Sequence, residues 1–154
     1  MLTIQSLNRT WAPRLLSVLR VVSAFLFIQH GSAKLFGVPH VSQFDNLAWF
    51  SLIGFAGMLE LIGGFLLLIG LFTRPVAFIL SGEMAFAYFI GHAPQGFLPL
   101  LNHGELTVLY CFVFLYLAAA GGGVWSVDRL YSKVERYSRL EDPHDIGSGQ
   151  PAAR

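Results

Sequence analysis

The chain has 154 residues, enough for one domain. It is 55% hydrophobic and only 12% charged, where an ordinary soluble domain is about 25% charged, and this excludes a water-soluble globule for most of its length. A net charge of +1 without a basic stripe argues against a nucleic-acid partner, and a single cysteine, Cys111, excludes an intrachain disulfide or a CxxC redox or zinc motif.

Taken in chain order, four segments are long and apolar enough, or nearly so, to cross a bilayer as helices: residues 15–36, 50–72, 75–91 and 105–121. Proline punctuates them, with Pro13 before the first, Pro75 opening the third, and Pro94 and Pro99 in the loop that follows it. The third and fourth sit at the lower length limit. The expected fold is therefore an all-α integral membrane protein, a bundle of four transmembrane helices.

Arg and Lys set its orientation. Arg9, Arg14 and Arg20 lie at the start, Arg74 lies in the short link between spans two and three, and Arg129, Lys133, Arg136 and Arg139 follow span four. The stretches 35–50 and 91–105 contain no Arg or Lys. Both termini are expected in the cytoplasm, with a cytoplasmic segment 1–13, a transmembrane domain 14–128 and a cytoplasmic tail 129–154. The competing reading of the first span as a cleaved signal peptide would leave three spans and break the charge parity. In the tail, Leu130, Tyr131, Val134 and Tyr137 recur at helical spacing between basic residues, the pattern of an amphipathic helix lying on the membrane. From Glu141 onward the composition is that of a disordered segment.

An ionisable residue inside a span costs roughly 2.5–3.5 kcal/mol on insertion scales, faces the bundle interior and is a functional candidate. The first span carries Arg20, His30 and Lys34; the last two are four apart and share a helix face with Gly31 beside them, a point of close approach for another helix or a ligand. The competing reading is that Arg20 and Lys34 snorkel to opposite interfaces. Glu60 in the second span is flanked by Gly57, Gly63 and Gly64, and Glu83 in the third lies beside Gly82. Two mid-membrane carboxylates need partners, and pairing Arg20 with Glu83 and either Lys34 or His30 with Glu60 satisfies both. The loop before span four adds His92, Asn102, His103 and Glu105. Taken singly, the two loop histidines read equally well as interfacial residues. No spacing resembles a zinc signature, so no metal is expected. Glu60, His30 and Glu83 are the candidate proton-handling, catalytic groups. Arg20, Lys34, Gly31, His92, Asn102, His103 and Glu105 are the candidate substrate-binding set. With 14 phenylalanines available as apolar wall, such a pocket suits a quinone, which combines an apolar ring, two carbonyl acceptors and a proton demand on reduction.

The run RVVSAFLFIQHGSAKLF at residues 20–36 resembles the first span of DoxX-like membrane proteins. GMLELIGGFLLLIGLFTRPVA at residues 57–77 is similar to their second span and its link to the third, and NHGE at 102–105 resembles the opening of their fourth. GGGVWSVDRL at 121–130 is similar to the Gly-Pro-Gly, Ser, Asp signature after it, with Gly122 where proline is common. The resemblance implies a four-helix bundle in the bacterial inner membrane and the loose family label of an oxidoreductase linked to quinones or sulfur compounds. It also implies work beside other subunits, and it points to Arg20, Gly31, Lys34, Glu60, Asn102 and Asp128. Three functions are thus expected to compete: a quinone-associated oxidoreductase or oxidoreductase subunit, a non-catalytic scaffold, and a small proton-coupled transporter that would need to form a homo-oligomer.

Overall fold

The computed structural model describes residues 9–141, so the expected disordered end of the tail lies outside the described residues, as do the first eight positions of the N-terminal segment. Five helices make up the described chain: α1 (Ala12–Phe36), α2 (Leu52–Ile69), α3 (Thr73–Ala87), α4 (Glu105–Ala120) and α5 (Val127–Glu141). No strand occurs among the described residues. Three helical stretches, Ala12–Phe36, Leu52–Ile69 and Thr73–Gln95, are long and apolar enough to cross a membrane, and α4 is a shorter apolar helix.

The helix ends follow local chemistry. Pro13 sits in the first turn of α1, where its missing N–H costs nothing. Gly37, at φ 65°, closes α1 with its N–H on the Ala33 carbonyl. Ser51 caps α2 by accepting from the Gly54 N–H at 3.1 Å. The third stretch departs from expectation: it does not end at residue 91. After Ala87 the backbone widens into a π-helical turn at Tyr88–His92 and then tightens into a 3-10 turn at Ala93–Gln95. Pro94 stands in the first turn of that 3-10 segment, a position proline tolerates, so it does not stop the stretch.

The core is narrow. Ala24, Phe27, Leu67, Ala77, Leu80, Tyr110, Phe114 and Leu117 are buried among α1–α4. Phe27 meets Phe114 edge-on with ring centroids 4.8 Å apart. Many other large apolar side chains, Phe25, Phe65, Phe78 and Phe112 among them, are exposed. That is the surface a lipid solvent requires.

The helices associate as two hairpins. α1 packs along α2 and α3 along α4, while contact between the two pairs is much smaller. The α1–α2 seam is built on small residues, which let backbones approach in lipid. A Cβ on Gly31 would stand 2.6 Å from the Leu61 amide nitrogen and 2.8 Å from the Gly57 carbonyl oxygen. Gly31 is thus occupied by close approach of another helix, the first of the two roles its position suggested.

At the end of the bundle near residues 70 and 122, buried polar groups tie helix ends together. Arg20, fully buried, donates from Nε to the Gly122 carbonyl (2.9 Å), from Nη1 to the Leu67 and Leu68 carbonyls (2.7 Å to the latter) and from Nη2 to the Trp125 carbonyl (2.6 Å). Asp128 accepts from the Phe72 and Thr73 N–H groups, 2.8 Å each, at the start of α3. Arg74 donates to the Ala118 and Ala119 carbonyls at the end of α4. Each charge thus lies at the helix terminus whose dipole it complements. α5 leaves this junction with Leu130, Tyr131, Val134 and Tyr137 exposed and Arg129, Lys133 and Arg136 on an adjoining face.

Two alanine substitutions test the seam. Gly31→Ala drives a methyl into the α2 backbone and should lower stability by about 1–3 kcal/mol, read as a fall in the midpoint of thermal unfolding in detergent. Gly82→Ala, where a Cβ meets nothing within 4 Å, should leave that midpoint unchanged or raise it slightly.

Candidate functional site

Where the two hairpins diverge, at the end opposite Arg20, they enclose a cavity of about 990 Å³. All four apolar helices reach it. α1 contributes His30 and Lys34, α2 Glu60, α3 Glu83, the π-helical turn His92, and α4 Thr107 and Tyr110. His103 lines it from the loop before α4, and Pro39, Val41, Gln43 and Phe44 from the loop after α1. The rest of the wall is mostly apolar, with Leu26, Phe27, Phe55, Leu59, Ile79 and Phe86 among it.

One ion pair anchors the site. The Lys34 ammonium lies 2.5 Å from Glu60 Oε1, with side-chain exposures of 14% and 3%. The α1–α2 seam sets this distance, because a Cβ on Gly57 would stand 2.9 Å from the Lys34 Cβ. The Phe44 ring lies 5.7 Å from the same ammonium. Glu60 Oε2 and both oxygens of Glu83 are buried and have no hydrogen-bond partner among the described residues.

The histidines are held differently. The His30 ring stands edge-on to Tyr110, centroids 6.2 Å apart. His92 is fixed at both nitrogens, Nδ1 lying 3.0 Å from the Asn102 carbonyl and Nε2 3.3 Å from the Thr107 hydroxyl. It occupies the π-helical turn, a local widening that recurs at functional sites. His103 is exposed and adopts φ 56°. Among the described residues, no three His, Cys, Asp or Glu side chains cluster as a metal set.

The remaining sequence candidates stand elsewhere. Arg20 does not pair with Glu83; its donors are consumed by four backbone carbonyls at the far end of the bundle. Of the two cations that could have met Glu60, Lys34 does. Gly31 faces the α2 backbone. Asn102 is buried behind the wall, where its amide donates to Gly96 O (2.6 Å) and Tyr88 Oη (3.3 Å) and its Oδ1 accepts from the Gly104 N–H (2.8 Å). It shapes the loop that carries His103, and its backbone carbonyl meets His92 Nδ1. Glu105 is exposed in the first turn of α4 and does not line the cavity. Sequence reasoning missed Tyr110, Thr107 and the loop residues around Phe44. The spacing of His103, Thr107 and Tyr110, four and then three residues, was the available signal for the first two. Cys111 is half-buried beside Ser81, whose hydroxyl donates to the Cys111 carbonyl at 2.8 Å.

The profile of the DoxX family matches residues 15–93. The chain belongs to the DoxX family. That match ends near His92, so it takes in three of the four apolar helices and most of the cavity's ionisable groups. Among curated proteins, this DoxX chain is 42% identical over 127 residues to an uncharacterised protein of Haemophilus influenzae, covering 80% of this chain and 95% of that one. It is 30% identical over 120 residues to the inner membrane protein YqjF of Escherichia coli K12, covering 75% and 91%. No solved structure matches. Family membership and three membrane-length apolar helices make this DoxX chain a membrane protein.

Three variants separate the charges at the two ends. Lys34→Met strands a buried Glu60 carboxylate and should cost about 3–5 kcal/mol of stability, while the double change Lys34→Met with Glu60→Met should cost clearly less, measured by unfolding in detergent. Arg20→Lys cannot serve four carbonyls from one ammonium and should lower the unfolding midpoint by the equivalent of about 2 kcal/mol or more.

Proposed function

We propose that the protein is a quinone-associated membrane oxidoreductase, or a subunit of one, with the cavity as its quinone site. One observation carries this reading: ionisable groups from four separate helices and their loops converge in one apolar chamber large enough for an aromatic head group, within a family of membrane proteins. A quinone bound there would supply two-electron, two-proton chemistry. The chain's own part is to hold the ring between apolar side chains such as Phe27 and Phe55, and to move protons at its edge. His30 and Glu83 are the groups for that second task, with Lys34 held by Glu60 as a fixed charge. His92, His103, Thr107 and Tyr110 orient the ligand. Arg20, Gly31, Asn102 and Asp128 act on the frame.

In this reading α4 completes a fourth crossing, both termini face the cytoplasm, and the cavity opens toward the outer half of the bacterial inner membrane. The arrangement of Arg74, Arg129, Lys133 and Arg136 supports that orientation, as does the name of the relative YqjF. α5 then lies along the inner surface, its exposed apolar side chains in the interface and its basic face toward anionic headgroups.

Native mass spectrometry of the protein released from mild detergent tests the function. The expected result is a retained quinone, together with any oxidoreductase subunit that donates electrons. Partners or lipids without quinone, and no binding when quinone is added back, would overturn it in favour of a scaffold. The orientation is checked by single cysteines in a Cys111→Ser background: Ser42→Cys and Gly96→Cys should react with an impermeant thiol reagent in intact cells, and Ser132→Cys should react only after lysis.

A further inference from the structure

The hydrogen-bonding ledger of the cavity is lopsided. Of its two carboxylates, only Glu60 Oε1 has a partner, the Lys34 ammonium. Glu60, 2% exposed, leaves Oε2 buried and unpartnered, and Glu83 leaves both oxygens so. That makes three buried acceptor atoms in one chamber. Of the donors nearby, Lys34 is on Glu60 and His92 is spent on Asn102 and Thr107, while the His30 ring and the Tyr110 hydroxyl, which line the same chamber, make no hydrogen bond to these oxygens. A buried acceptor without a donor costs about 1–3 kcal/mol, and more when it is charged. The chamber is therefore complementary to a ligand whose polar groups donate to these oxygens as well as accept from His30 and Tyr110. A quinone brings only acceptors, whereas its reduced form carries two hydroxyl groups.

We infer that the cavity selects the hydroxyl-bearing, reduced form of its ligand, a dihydroxy aromatic whose O–H groups donate to Glu83 and to the free oxygen of Glu60. This rests on the quinone-site reading above and deepens it: the site binds a quinol in preference to a quinone. The route in is from the side. Phe55 and Leu59 of α2 and Ile79 and Phe86 of α3 line the cavity and are also exposed on the outer surface. The chamber thus meets the lipid-facing surface between these two helices, and a tail attached to the ring can remain in the acyl chains while the ring lies beside the carboxylates.

The test is anaerobic equilibrium titration of the full-length protein in lipid nanodiscs with a short-tailed benzoquinone and, separately, with its quinol. Quinol should bind about tenfold more tightly, the effect of one added hydrogen bond. Glu83→Gln should abolish most of that preference, and Glu83→Asp should keep part of it, which separates loss of the carboxylate from loss of the fold. Equal affinities, or tighter quinone binding, in the unaltered protein would overturn the selectivity while leaving the quinone site standing. Binding of neither form would overturn both.

Discussion

A charge at bilayer depth persists only where something other than water holds it, and the architecture follows from how each charge is held. Arg20 is held by backbone. Its planar guanidinium reaches the carbonyls left free at the end of α2 and in the turn after α4, acceptors that any helix terminus must expose. Lys34 is held by a carboxylate, Glu60, at 2.5 Å. Glu83 is held by neither, though it lies in the same fold. The first solution builds the frame, the second anchors the chamber, and the third leaves unspent hydrogen-bonding capacity in it.

The two ends of the bundle consequently do different work. At the Arg20 end, three charged side chains stitch helix termini into one junction, with Asp128 on the start of α3 and Arg74 on the end of α4. Trp125 joins it by donating its backbone N–H to the Ser17 hydroxyl at 3.1 Å. At the other end no comparable set of bonds ties the hairpins together among the described residues, and they part around the cavity. The glycine seam of α1 and α2 continues up to Lys34 and Glu60, so close packing and charge pairing are one feature. The π-helical turn in the third stretch rotates His92 into the same chamber. A firm junction at one end allows an open chamber at the other without loss of the fold.

Much of this was legible in the residues. Hydrophobic length located the helices to within a few positions, and the four-residue spacing of His30 and Lys34 placed them on one face. The expense of Glu60 and Glu83 in lipid marked them as inward-facing. Arg20 was misassigned because charge-pairing arguments count side-chain anions and overlook backbone carbonyls; Gly70, where a Cβ would stand 2.9 Å from the guanidinium carbon, was the trace of its real environment. The third stretch was cut short because Pro94 reads as a terminator, whereas a 3-10 turn accepts it in its first turn. Tyr110 and Phe44 were invisible as cavity residues, since an aromatic in so apolar a chain carries no signal until its neighbours across the bundle are known.

The central claim is that oppositely charged side chains from α1 and α2 meet inside the bundle, and one distance tests it most directly. The chain has two lysines, Lys34 and Lys133, so Lys133→Arg leaves a single ammonium to observe. Solid-state NMR of that variant in lipid, with nitrogen-15 at lysine Nζ and carbon-13 at the glutamate carboxyls, should show a strong dipolar coupling between the Lys34 Nζ and the Glu60 carboxyl carbon, as an Nζ–Oε1 separation of 2.5 Å requires. A Lys34 nitrogen uncoupled from every carboxyl carbon would contradict the account.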